Sequence, residues 1–255
     1  MKVFIALLKK EYLESVRNKK LFIMSFIFLF LGILGPVTAK ISPEILKSFL
    51  GEELAKGLQE PIFIDSWAQF FKNVTQLGFI FIVIIFSNYI VNEFSKKTLV
   101  NLVAKGLPRF QIVISKMVFA SLLWTISLII YCLIFNIYTT YIFKENVEIL
   151  LAIKASIPIW IFGIFLIILE CFASFVFRNT VGALSTLFII VALQFLIGMY
   201  DKIAKFLPMF LISDNINFIK GSMSFMDYKY SITITILLTI LMIFTSIFVL
   251  NRKEI

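Results

Sequence analysis

Long apolar runs alternate with short polar interruptions along the chain, and the lengths of the runs decide the elements. Six of them, 21–38, 67–91, 111–138, 155–177, 181–199 and 230–250, are long enough to cross a bilayer as helices, since about 17 to 25 apolar residues match a hydrocarbon core of about 30 Å. Ten-residue segments of alternating polarity are not evident, and a lipid-exposed backbone has to close its own hydrogen bonds, so helices are expected rather than a barrel. The expected fold class is an all-α integral membrane protein of one domain with six transmembrane helices.

The interruptions carry patterns of their own. Residues 1–20 are amphipathic: Phe4, Ile5, Leu8, Tyr12, Leu13 and Val16 fall on one half of a helix and Lys10, Glu11, Glu14 and Arg17 on the other, with Leu7 and Lys9 as exceptions. Such a helix is expected to lie in the headgroup plane, or else to extend the first span. That span should stop near Gly35 and Pro36. The long charged region before it argues for an uncleaved anchor over a signal peptide. Residues 41–66 read as an external connection, either an interfacial lid started by Ser42-Pro43 and stopped by Gly51 or a featureless loop.

Between spans two and three, residues 93–109 are polar and basic yet helical in pattern. Leu99, Leu102 and Val103 make an apolar stripe, Lys96, Lys97, Asn101 and Lys105 take the remaining surface, and Gly106 and Pro108 end the helix. This is a shape for pressing on a soluble partner. Residues 204–226, broken by Pro208, are expected to form an outer re-entrant or interfacial segment, or a buried cap over helix ends.

Polar groups at membrane depth avoid lipid. Gln69, Lys72, Asn73 and Gln76 share one face of span two, which then borders either a pathway or an interfacial turn where they snorkel. Glu170 in span four must be paired, protonated or near water, in a structural hydrogen bond or in a gating role. Gln194 is its counterpart in span five. Ser121 with Thr125, and Ser231, Thr235 and Thr239, are spaced for close helix packing or for bonding to their own carbonyls.

Composition narrows the function. Of 255 residues 60% are hydrophobic and 15% charged, far from the balance of a soluble domain. The net charge of +9 lies in loops beside the spans, so membrane orientation explains it better than nucleic acid. More than half of the 24 lysines and arginines fall before span one, between Lys96 and Lys116, at Arg178 and after span six, so both termini are expected in the cytosol. The absence of histidine removes its acid/base, nucleophile-pair and metal chemistry, and no GxxxxGK[ST], GxGxxG or CxxC occurs. Catalytic, cofactor and metal sites are therefore expected to be absent. Cys132 and Cys171 lie in apolar runs and read as inert thiols.

Lys10-Glu11, Glu14 and Arg17-Asn18-Lys19 before span one, with Glu93, Lys97-Thr98-Leu99, Leu102, Leu107-Pro108-Arg109 and Lys116 after span two, resemble the permease subunits of ABC-2 type transporters. The likeness covers essentially the whole chain, and Lys97 stands where that family often has glycine. The resemblance implies a second permease subunit, as homodimer or heterodimer, and a cytosolic ABC ATPase dimer that binds the ATP and Mg. It implies that 93–105 is a coupling helix, with Glu93, Lys96, Lys97, Leu99, Leu102 and Arg109 at the ATPase contact. Small permeases of this plan are similar to exporters of amphipathic or antimicrobial peptides, including phenol-soluble-modulin exporters, in the bacterial plasma membrane. Two other classes compete: a membrane scaffold or sensor that recruits a cytosolic partner, and an ion-coupled carrier. A membrane enzyme built on Glu52-Glu53 lacks a histidine to complete a metal site.

Overall fold

A computed structural model describes residues 2–50, 60–145 and 148–252. Its elements are helical: α1 (Lys2–Arg17), α2 (Lys20–Leu50), α3 (Phe63–Asn73), a π turn (Val74–Gly78), α4 (Phe79–Phe86), α5 (Val91–Ser95), α6 (Thr98–Ala104), α7 (Arg109–Phe143), α8 (Ile149–Phe177), α9 (Thr180–Gly198), three short helices α10 (Asp201–Ala204), α11 (Phe210–Ser213) and α12 (Asn215–Ile219), a 3-10 turn (Phe225–Tyr228) and α13 (Lys229–Arg252). Six helices are long and apolar enough to span a bilayer. The chain is a multi-pass helical membrane protein.

The first span does not stop at Gly35 and Pro36. α2 runs through both Pro36 and Pro43 to Leu50. A bilayer favours intrahelical bonding so strongly that proline is tolerated within a span. Met24, Phe28, Leu31 and Ala39 form its buried stripe, which packs chiefly on α7. The proposed Gly51 stop and Glu52-Glu53 lie outside the described residues.

α8 is the most enclosed span, while α9 and α13 turn most of their surface outward. α8 touches α4, α7, α9 and α13. Between α3 and α7 lies an aromatic core: Phe70 stacks on Tyr131 at 4.5 Å and Trp67 meets Phe135 at 5.0 Å. Two of its polar contacts are closed, while the Trp67 indole N–H is buried with no hydrogen-bond partner among the described residues. Tyr131 Oη donates to the Phe70 carbonyl at 2.7 Å, and Ser66 Oγ lies 2.8 Å from Thr139 Oγ1. Trp124 donates to the Trp160 carbonyl at 3.1 Å, close to Gly163, where a Cβ would come within 2.4 Å of its ring. Both cysteines are free.

Residues 201–228 pack on α3, α8 and α13. Ser231 Oγ donates to the Leu207 carbonyl at 2.6 Å, and Tyr228 Oη donates to Asn215 at 2.6 Å. Leu211, Phe218 and Ile219 are buried beneath.

Candidate functional site

At the end of the bundle that carries α1, three stretches of chain bring charge together inside the protein. On α1 the buried residues are Leu7, Glu11 and Ser15, one turn apart. The polar half of that helix thus meets protein, whereas Ile5, Tyr12 and Leu13 of its apolar half stand outside. Glu11 finds its counter-charge on α7, whose first turns carry Lys116 inward.

The Lys116 ammonium lies 3.0 Å from Glu11 Oε1 and 2.7 Å from Glu93 Oε1, and all three side chains are at most 3% exposed. Tyr89, in the turn after α4, donates its hydroxyl to Glu11 Oε2 at 2.6 Å. Lys10 closes the cluster from its rim, reaching Glu11, Glu14 and Glu93. The Lys20 and Lys116 ammonium groups lie 4.8 and 4.9 Å from the centre of the Tyr89 ring. Burial would raise the Glu11 carboxyl, but Lys116, Lys10 and the Tyr89 hydroxyl outweigh it and hold the group below the ordinary carboxylate range. Burial likewise lowers Lys10, and Glu11 and Glu93 more than reverse this and raise it.

Carboxylate oxygens of Glu11, Glu14 and Glu93 come within 4.8 Å of one another, as a metal site would require. Lys10, however, bridges all three, so the cation among them is an ammonium group. The chemistry of the arrangement is mechanical: it fastens α1, the stretch 89–93 and the base of α7 to one another.

Of the residues expected at a partner contact, Lys96 and Lys97 are exposed, Leu102 and Arg109 are half-buried, and Glu93 and Leu99 point inward. Leu99 is fully buried in the core. It is the seat of α6 rather than its outer face. The expected helix 93–109 is also divided, because Lys97 adopts a left-handed conformation with φ 54° between α5 and α6. Glycine takes that conformation without strain, and here a lysine holds it. α6 then ends in a Schellman turn: Gly106, φ 77°, donates to Val103 O at 2.9 Å and Leu107 to Leu102 O at 3.3 Å. Arg109 Nη1 donates to the Leu250 and Asn251 carbonyls at 2.6 and 3.0 Å, capping α13. At the neighbouring turn the Arg178 guanidinium lies 5.0 Å from the Phe94 ring centre, and Thr180 donates to Asn88 at 2.7 Å.

The polar face of span two is split. Lys72 and Gln76 are exposed, Gln69 is half-buried, and Asn73 is buried with no hydrogen-bond partner for its Nδ2 among the described residues. Gln76 and Gln194 line one cavity of about 580 Å³ at the far end of the bundle. Glu170 is 1% exposed, and neither carboxylate oxygen has a hydrogen-bond partner among the described residues.

Lys10, Glu11, Glu14, Glu93 and Lys116 each stand out in the sequence, but nothing in it joins them, and Tyr89 carries no sequence signal of its role. A usable signal was the stripe Leu7, Glu11, Ser15, in which the apolar exception of the polar half shows which side meets protein. Compared with models of protein families, with curated proteins and with solved structures, the chain matches none.

Proposed function

We propose that the chain is the membrane-spanning permease subunit of an ATP-driven exporter in a bacterial plasma membrane, coupled to separate ATPase subunits. The observation that supports this most is the Glu11–Lys116–Glu93 cluster, which ties α1 and the α5–α6 arm to the base of α7. A force on α6 would pass into the spans rather than dissipate in a loose loop. The arm's outward residues, Lys96, Lys97, Asn101 and Lys105, suit a partner groove of acidic character.

In this reading α6 and both termini face the cytosol, and the exposed Ile5, Tyr12 and Leu13 rest among lipid headgroups. Two permease subunits form the pathway, and the partner ATPases hold ATP and Mg. ATP binding moves the pair between inward-open and outward-open states through contacts that differ between them. The cargo is an amphipathic peptide or another hydrophobic compound.

The test is a mild-detergent pull-down from the native membrane with partners identified by mass spectrometry. A Walker-type ATPase should be recovered with the natural chain and lost when Lys96, Lys97 and Lys105 are all changed to Glu. Recovery of a signalling protein without any ATPase would move the reading to a scaffold or sensor. One observation favours a carrier instead, the buried Glu170 carboxyl, which has no hydrogen-bond partner among the described residues. That alternative requires transport in vesicles driven by a proton gradient without ATP, abolished by Glu170→Gln.

A further inference from the structure

The cavity beside the π turn contains polar groups that nothing in the fold uses. It lies between Thr75 and Gln76 of the π turn, the end of α9, and the chain around Leu207 and Phe210. At about 580 Å³ it falls within the usual size of small-molecule sites. Gln194 is 8% exposed, and its Oε1 accepts from the Met209 N–H at 3.2 Å. The amide nitrogen of the same side chain donates to no atom among the described residues and is open to the cavity. Gln76, on the facing wall, makes no hydrogen bond among the described residues either.

The other polar groups of the wall are committed. Thr75 Oγ1 donates to the Phe71 carbonyl at 2.8 Å and Ser213 Oγ to the Met209 carbonyl at 2.9 Å. Among the described residues no lysine, arginine, aspartate or glutamate lines the cavity. The remaining wall is apolar and adaptable, with Met199, Met209 and Phe210. A π turn is itself frequent at functional sites, because its extra residue re-aims side chains that an α-helix would place elsewhere.

We infer that this cavity binds an uncharged apolar compound through a carbonyl oxygen, which accepts from the Gln194 amide and from Gln76. Among the described residues of the wall an anion would find no counter-charge, and neither would a cation. The inference rests on the exporter reading only in calling the ligand a cargo. The carbonyl can belong to a peptide bond or to a lipid ester.

The experiment uses the full chain in lipid nanodiscs and N-decanoyl-phenylalaninamide carrying a diazirine in its acyl chain, with adducts located by mass spectrometry. Adducts are expected on cavity residues such as Met199 and Phe210. Apparent affinity should fall about tenfold in Gln194→Glu, which keeps the acceptor for the Met209 N–H and removes the donor. A similar fall is expected in Gln76→Leu, where the exposed position leaves folding intact. Competition by acetyl-trileucine amide would identify peptides as the source of the carbonyl, and competition by dioleoylglycerol would identify lipids. Decylbenzene, without a carbonyl, should compete poorly. Equal competition by decylbenzene, adducts spread over the outer faces of the spans, or labelling unchanged in both variants would overturn the site. No ATPase is needed for labelling, so a bound probe with no ATPase recovered would overturn the exporter reading and retain the site.

Discussion

The Lys116 ammonium stands 2.7 Å from a Glu93 carboxylate oxygen, with 1% of the one side chain and 3% of the other exposed. Two full charges from different spans are thereby held inside the protein. A buried pair of this kind adds little net stability over apolar residues of the same shape, but losing one partner strands the other. Its value here is positional, since Glu11 shares the same ammonium and draws α1 to the same point.

Lys116→Met should therefore destabilise the chain, by less than the cost of about 3 to 5 kcal/mol for a fully orphaned buried charge, because Lys10 still reaches Glu11 and Glu93. Thermal unfolding of the purified chain reads the loss. Adding Glu93→Gln should recover part of it, and strictly additive losses would mean that the two residues do not interact.

Acid should weaken the same cluster. Glu11 has its folded pKa below the ordinary value of 4.5, despite burial, because Lys116, Lys10 and Tyr89 favour the charged form. The unfolded chain consequently takes up the proton first, so the stability from Glu11 is complete above the unfolded pKa and is lost as pH falls through the folded one. The melting temperature of the natural chain should drop more steeply on acidification from pH 5 than that of Glu11→Gln. Parallel curves would refute the assignment.

Gly163→Ala should be poorly tolerated. Its Cβ would lie 2.4 Å from Trp124 Cε2, and that ring is fully buried and bonded to the Trp160 carbonyl. Overpacking of this size costs about 1 to 3 kcal/mol. Unfolding temperature measures it, and Trp124→Phe in the same chain should relieve part of the strain.

Arg109→Met should loosen the last turn of α13 without disturbing the core. Hydrogen exchange at residues 247–252 is expected to accelerate about tenfold as the Leu250 and Asn251 carbonyls lose their donor, while amides of α8 keep their protection. Unchanged exchange would show that the cap is idle.

The spans were legible because lipid imposes length and apolarity on each, which a single sequence records. What the sequence left hidden depends on neighbours. Pro36 reads as a stop when helix propensity is considered alone, yet α2 continues because hydrocarbon offers the chain no alternative bonding. Leu99 appeared as an interface residue because an amphipathic stripe looks the same whether it meets a partner or the protein's own core. Glu11 was placed with the polar half of α1, and only the position of Lys116 turns that polarity into burial. The π turn has no composition signal at all.

That turn has one more consequence. A ring closed by i to i+5 bonding inserts an additional residue into the winding, and each residue of an α-helix advances by about 100°. α3 and α4 are therefore out of phase, like two screws joined with offset threads, and each is matched to a different set of neighbours. Deleting one residue from Val74–Gly78 would bring the threads into line and swing Trp67, Phe70 and Phe71 away from Tyr131 and Phe135. The address of every aromatic group in the first half of span two is counted from that joint.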